Sequence, residues 1–71
     1  MRIVPKPEEF RAFIKSVGNN RNEAARRIGV SPATAYRIEL EQVDPSPKFI
    51  AGLIIATGRT FEDLFEIQEA A

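Results

Sequence analysis

A glycine followed two residues later by serine and proline, Gly29-Val30-Ser31-Pro32, is the feature that most narrows what this chain can fold into. Glycine tolerates the left-handed conformation that ends a helix, serine offers a side-chain oxygen to cap a new one, and proline fits the first turn without losing a hydrogen bond. One helix must stop and another start almost at once, which forces two short helices to cross steeply around a tight turn. Such a crossing needs a small side chain where the second helix leans on the first. Ala25 stands at that place, and Ala24, Ile28, Val30, Ala35 and Ile38 are the apolar residues expected to pack the pair together.

Similar punctuation along the chain predicts five helices. Residues 7–17 place Phe10, Phe13, Ile14 and Val17 at i, i+3, i+4 and i+7, a single apolar stripe, and Gly18 suits a left-handed cap at its end. The second helix starts after Asn20, with Glu23 three residues on in a capping-box arrangement. Ser31-Pro32 opens the third, with Ala35 and Ile38 facing inward and Ala33, Tyr36 and Arg37 outward. Ser46-Pro47 repeats the device for the fourth, in which Phe49, Ile50, Leu53, Ile54 and Ala56 predict the most buried element. Gly58 ends it, and Thr60 caps a fifth helix carrying Phe61, Leu64, Phe65 and Ile67, with Asp63 at N3. No stretch alternates with period two for long enough to predict a sheet.

Residues 1–71 are expected to form a single domain, and a chain of this size buries only roughly 60% of its unfolded surface, which leaves little room for a deep catalytic cleft. A hydrophobic content of 44% is that of a folding domain rather than a disordered one. Neither Cys nor His occurs, which excludes disulfides, thiolate zinc sites, the commonest general base and the commonest metal ligand. Ser31 and the other hydroxyls lack an activating base, and no EF-hand, P-loop or dinucleotide fingerprint is present. An enzyme is therefore the least favoured class, and no catalytic residue, cofactor or metal is expected. The N-terminal MRIVPKPEEF lacks the apolar core of a secretory signal, and the longest apolar stretch, residues 49–56, is far shorter than the roughly 20 residues of a membrane span. A cytoplasmic protein with no membrane association is expected.

Net charge is zero, yet the charges are segregated. Residues 1–38 hold eight bases against three acids, a net +5, and the remainder holds two bases against seven acids, a net −5. Such a dipole orients a protein on a polyanion while limiting non-specific binding.

The stretch RNEAARRIGVSPATAYRIEL, residues 21–40, resembles the helix-turn-helix of the Cro and phage-repressor type, the XRE-like family. Counting Arg21 as the first position, Ala25 is the small fifth residue and Gly29 the ninth, in the turn. PEEFRAFI is similar to the family's opening helix, and DPSPKFIAGLIIATGRTFEDLFEI resembles its tail of an aliphatic helix, a glycine and a final capped amphipathic helix. The stretch GNNRNEAARRIGVSPATAYR is also similar to the motif of Fis-like nucleoid and enhancer proteins, but the fourth and fifth helices favour the repressor type. The resemblance, over residues 7–67, implies an all-α, compact, five-helix, lambda-repressor-like DNA-binding domain whose third helix lies in the major groove of double-stranded DNA.

It makes Pro32, Ala33, Tyr36 and Arg37 the base-contacting residues. Arg37 can hold a guanine through two parallel hydrogen bonds, Pro32 and Ala33 can touch a thymine methyl, and Tyr36 either meets the DNA or covers part of the core. Relatives often carry Gln where Pro32 and Ala33 stand, so readout here leans on Arg37 and on DNA shape. Asn20, Arg21 and Asn22, at the positive end of the second helix, together with Ser31 and Thr34, are the expected phosphate contacts. Arg26 and Arg27 are solvated, pair with Glu23 or read bases, and Glu39, the counterpart of a family glutamate tied to the first helix, either pairs with Lys15 or loses that tie. Glu39, Glu41 and Asp44 require the third helix to leave the groove soon after Arg37. Phe61, Leu64, Phe65 and Ile67 either form the contact of a homodimer or complete the core. The function implied is a sequence-specific transcriptional regulator of repressor, Cro or antitoxin type. The alternative, a protein-interaction module that keeps the fold without binding DNA, is consistent with zero net charge and a pI near 6.2.

Overall fold

Side-chain caps and prolines decide where the helices begin. The computed structural model describes residues 1–69, in which a short strand β1 (Arg2–Pro5) leads into helices α1 (Pro7–Ser16), α2 (Arg21–Ile28), α3 (Pro32–Glu39), α4 (Pro47–Thr57) and α5 (Phe61–Leu64), followed by a strand β2 (Phe65–Gln68). Ser31, Ser46 and Thr60 each accept a hydrogen bond from the amide three residues on, and Pro7, Pro32 and Pro47 stand in the first turns of α1, α3 and α4. The five expected helices are all present. No helix among the described residues is long and apolar enough to cross a membrane.

The sheet was not expected. β1 and β2 pair antiparallel, with Ile3 opposite Ile67 and Pro5 opposite Phe65, and the Lys6 amide donates to the Leu64 carbonyl at 2.8 Å to continue the ladder. Each strand has only four residues, too few to display alternation, and the partners lie at opposite ends of the chain. Phe61, Leu64 and Phe65 fall at i, i+3 and i+4, the spacing of a helical stripe, but the helix closes after one turn because Phe65 adopts an extended backbone (φ −130°, ψ 158°). Leu64 and Phe65 are 1% and 2% exposed and complete the core instead of offering a surface for self-association. Phe61 is half-buried and Ile67, at 54%, is exposed on β2.

The core joins α1 to the C-terminal strand through aromatic contacts. Phe10 meets Phe49 edge-on at 5.7 Å between ring centroids, Phe49 meets Phe65 edge-on at 6.3 Å, and Phe61 stacks on Phe65 at 5.2 Å. Within α4, Phe49 and Leu53 are fully buried, whereas Ala56, expected to face inward, is exposed because the helix turns only one face to its neighbours. Contact between α2 and α4 depends on Gly52. A Cβ added there would stand 2.8 Å from the Ile28 carbonyl carbon and closer still to its oxygen, so only hydrogen fits between the helices.

One cap is strained. α3 ends with Glu41 in the left-handed region (φ +61°), which lets the Gln42 amide reach back to the Arg37 carbonyl at 2.9 Å. A side chain in that conformation costs about 1–2 kcal/mol, partly offset by the extra unfolded-state freedom that glycine would bring. Glu41→Gly should therefore stabilise the fold by about 0.5–1 kcal/mol, a rise of about 3–6 °C in Tm by thermal melting. The bond from the Arg2 guanidinium to the Glu41 carbonyl (2.9 Å) involves only backbone at residue 41 and survives the change. An unchanged or lower Tm would count against the strain.

Candidate nucleic-acid interface

The local architecture follows from small residues at the crossing. Ala25 is 0% exposed and shares one buried cluster with Ala35, Ile38 and Ile28, while Val30 in the turn packs against it. Gly29 takes φ +98°, and its amide and that of Val30 both donate to the Ala25 carbonyl, at 2.9 and 3.1 Å, which stops α2 and swings the chain into α3. With Ala35 and Ile38 inward, Pro32, Ala33, Tyr36 and Arg37 are left on the solvent side of α3. Tyr36 is 52% exposed, so its ring does not cover the core.

The expected phosphate contacts are all brought to the start of α2 and α3, but several already hold partners. Asn20 caps α2 by accepting from the Glu23 amide at 3.0 Å, and Asn22 is exposed one turn position further on. Ser31 accepts from the Thr34 amide (3.1 Å) and donates to the Thr34 hydroxyl oxygen (2.9 Å), which leaves the Thr34 hydroxyl hydrogen for another acceptor. Arg21 forms a two-pronged pair with Glu39, Nε to Oε1 at 3.0 Å and a terminal nitrogen to Oε2 at 2.8 Å. Of the two alternatives for Glu39, a pair with Lys15 or loss of the tie to the first helix, the second is realised. Position 39 ends α3 beside the first residue of α2, so the carboxylate meets Arg21 rather than Lys15 of α1. The Glu39 hydrogen bond raises the Arg21 pKa further, and the pair ties the two helices of the motif together. Three guanidinium N–H groups of Arg21 remain outside this pair, since each prong uses one.

Glu23 pairs with both Arg26 and Arg27, the second of the readings open for these bases. Its carboxylate accepts from Arg26 Nε and Arg27 Nε, each at 2.9 Å, and so does not close the reciprocal capping box with the Asn20 amide. The hydrogen bonds from Arg26 first, and then Arg27, lower the Glu23 pKa to about 2. A depressed folded-state value means that this cluster stabilises above the unfolded carboxylate pKa of about 4.3 and loses its contribution as pH falls toward 2. Glu23→Gln should thus be less stable than the parent at pH 7, with the gap narrowing below the unfolded carboxylate pKa and closing only as pH falls through and below about 2, as followed by Tm across that range. Two parallel Tm curves would show that the carboxylate is unpaired in solution.

Partner choice sorts the cations. Among the described residues Arg2, Arg21, Arg26, Arg27 and Arg59 each meet a carboxylate, of Asp44, Glu39, Glu23, Glu23 and Glu9 respectively, whereas Arg11 and Arg37 meet none. Lys48 also lacks an acidic partner and lies along the turn, its Cε 3.4 Å from where a Gly29 Cβ would stand. The sequence reading missed Lys48. Its signal was a base in the first turn of a helix, the end where a cation opposes the dipole and is placed for some reason other than helix stability.

Two helices locked around a tight turn, with a solvent-facing second helix and cations at its borders, define a helix-turn-helix domain. A family model described as Helix-turn-helix matches residues 10–64, most of the chain. The chain belongs to this XRE-type helix-turn-helix family, whose fold is that of DNA-binding regulators. Neither curated proteins nor solved structures supply a match to it.

Proposed function

We infer that the protein is a sequence-specific, double-stranded DNA-binding transcriptional regulator of repressor, Cro or antitoxin type, which occupies an operator by laying α3 in the major groove. The carrying observation is Arg37: on a helix whose other outward residues are Pro32, Ala33 and Tyr36, it is exposed and free of any carboxylate among the described residues. Family membership supports DNA as the partner. The free amides at the start of α2, with Asn20, Arg21 and Asn22, and the Thr34 hydroxyl, oriented by Ser31, serve the phosphates on one side of α3. Lys48 serves those beside the turn.

The regulator works as a homodimer, because one domain touches too few bases to define a site and two on half-sites about 34 Å apart double the contacts. Both strands of a two-stranded sheet keep an unpaired edge, and exposed Ile67 on β2, with half-buried Phe61 nearby in sequence, supports self-association at this end of the chain. Selection from a random duplex pool tests the reading. A palindromic consensus, bound with log affinity falling linearly against log salt, is the expected result. Absence of duplex binding at low salt would leave the fold as a protein-interaction module.

A further inference from the structure

The peptide unit between Glu41 and Gln42 is held at both of its ends. Its N–H donates to the Arg37 carbonyl at 2.9 Å, a bond that helps to close the C-terminal end of α3. Its carbonyl accepts from a terminal nitrogen of Arg2 at 2.9 Å, and Nε of the same guanidinium donates to Asp44 Oδ1, also at 2.9 Å. Arg2 belongs to neither helix of the motif. It is the first residue of β1, where pairing opposite Gln68 of β2 fixes its backbone, so a side chain 39 residues from Glu41 in sequence is brought to the end of α3.

The contact falls on a strained point. Glu41 occupies the left-handed region (φ +61°) without being glycine, so the cap that depends on it opens readily unless the peptide that follows is held. Hydrogen bonds in series polarise one another, and a cationic donor on the carbonyl strengthens the N–H bond made by the same peptide. The acceptor of that N–H bond is the backbone of Arg37, the side chain with which α3 reads a base. Asp44 aims the fork, since it takes Nε and leaves a terminal nitrogen directed at the Glu41 carbonyl. We propose that Arg2 is a positioning residue for base readout: through the 41–42 peptide it fixes the backbone of Arg37 at the end of α3, with Asp44 orienting its guanidinium. The proposal rests on the DNA-binding reading and extends it to β1, outside the helix-turn-helix.

The test pairs amide hydrogen exchange with binding to the selected duplex. In Arg2→Ala the Gln42 amide should exchange on the order of 5-fold faster, the factor that an exposed pair of this kind is worth, while amides in the core of α4 change less. Affinity for the selected duplex should fall by about the same factor, with the slope of log affinity against log salt unchanged, since no phosphate contact is lost. Asp44→Ala should lower the ratio of selected to unrelated binding in the same direction, although loss of an acid favours every duplex. The two side chains are 39% and 63% exposed, and Tm should fall by no more than about 5 °C in either variant. In an Arg37→Ala background, Arg2→Ala should leave the preference for the selected duplex where Arg37→Ala alone puts it, a non-additivity that a residue acting through Arg37 requires and a merely structural one does not produce. Weaker binding to all duplexes with a salt slope shallower by about 0.9 would make Arg2 a direct phosphate contact and overturn the proposal. Additive losses, or an unchanged Gln42 rate, in a parent that binds DNA would also overturn it, and each of these results leaves the DNA-binding reading standing. No duplex binding by the parent at any salt would overturn both.

Discussion

Gly52→Ala should unfold or nearly unfold the protein, although alanine is the better helix former by about 1 kcal/mol in an exposed helix interior. The sign is decided by the neighbour. A methyl group on residue 52 would overlap the Ile28 carbonyl, a backbone group at the end of α2 that has no rotamer through which to escape. Relief requires α2 and α4 to separate, opening a gap along Phe49, Leu53 and Ile28, and overpacking of this kind costs about 3 kcal/mol or more. A 71-residue domain has only about 4–10 kcal/mol of stability in total. Thermal melting should show Tm lower by about 12–25 °C, or no cooperative transition at all. A Tm at or above the parent's would mean that the helices do not approach this closely, and the position of the turn at Gly29 would then lose its support.

That contact was invisible in the sequence, and the reason is physical. Glycine inside an aliphatic helix reads only as a weak point, because what it permits is set by a helix more than twenty residues earlier. Helix ends, by contrast, are local devices. Ser31-Pro32, Ser46-Pro47 and Thr60 with Asp63 act within one turn, so the starts of α3, α4 and α5 were legible. The β1–β2 pair failed on both counts, being short and formed between the ends of the chain, and Leu64 and Phe65 were consequently offered two readings of which the core is the one realised.

The candidate site divides along the same line. Which residues of α3 face outward follows from helical periodicity and from Ala35 and Ile38 being apolar, so Pro32, Ala33, Tyr36 and Arg37 were found together. Charge pairing is a tertiary property. Arg21 and Glu39 are eighteen residues apart, and their pairing depends on the steepness of the crossing at Ala25, which no spacing rule supplies. Glu23 with Arg26 and Arg27 lies within one helical turn and was among the readings the sequence offered. Arg11, Arg37 and Lys48 carry no local mark in the sequence that separates a paired base from an unpaired one; only the surroundings in the fold show that none of them meets a carboxylate among the described residues.

Those surroundings bear most heavily on Arg37, whose removal should produce the largest loss of function. Pro32 and Ala33 offer no donor, and Tyr36 offers a single hydroxyl, so the guanidinium is the one group on this face able to donate two parallel hydrogen bonds to guanine O6 and N7. Such a pair is worth about 1–3 kcal/mol of discrimination, which corresponds to about 5- to 150-fold in affinity for the preferred site. Arg37→Ala should lose that factor on the selected duplex, keep most of its binding to unrelated duplex, and yield a consensus from which the guanine has disappeared. Stability should stay within about 0.5 kcal/mol, since the side chain is exposed and unpaired. Arg37→Lys separates charge from geometry: an ammonium preserves the electrostatic attraction but not the planar fork, so it should restore non-specific affinity without restoring the base preference. If instead Arg37→Ala weakens all duplexes alike and makes the salt slope shallower by about one, the residue holds a phosphate, and α3 reads its operator through shape and apolar contact alone.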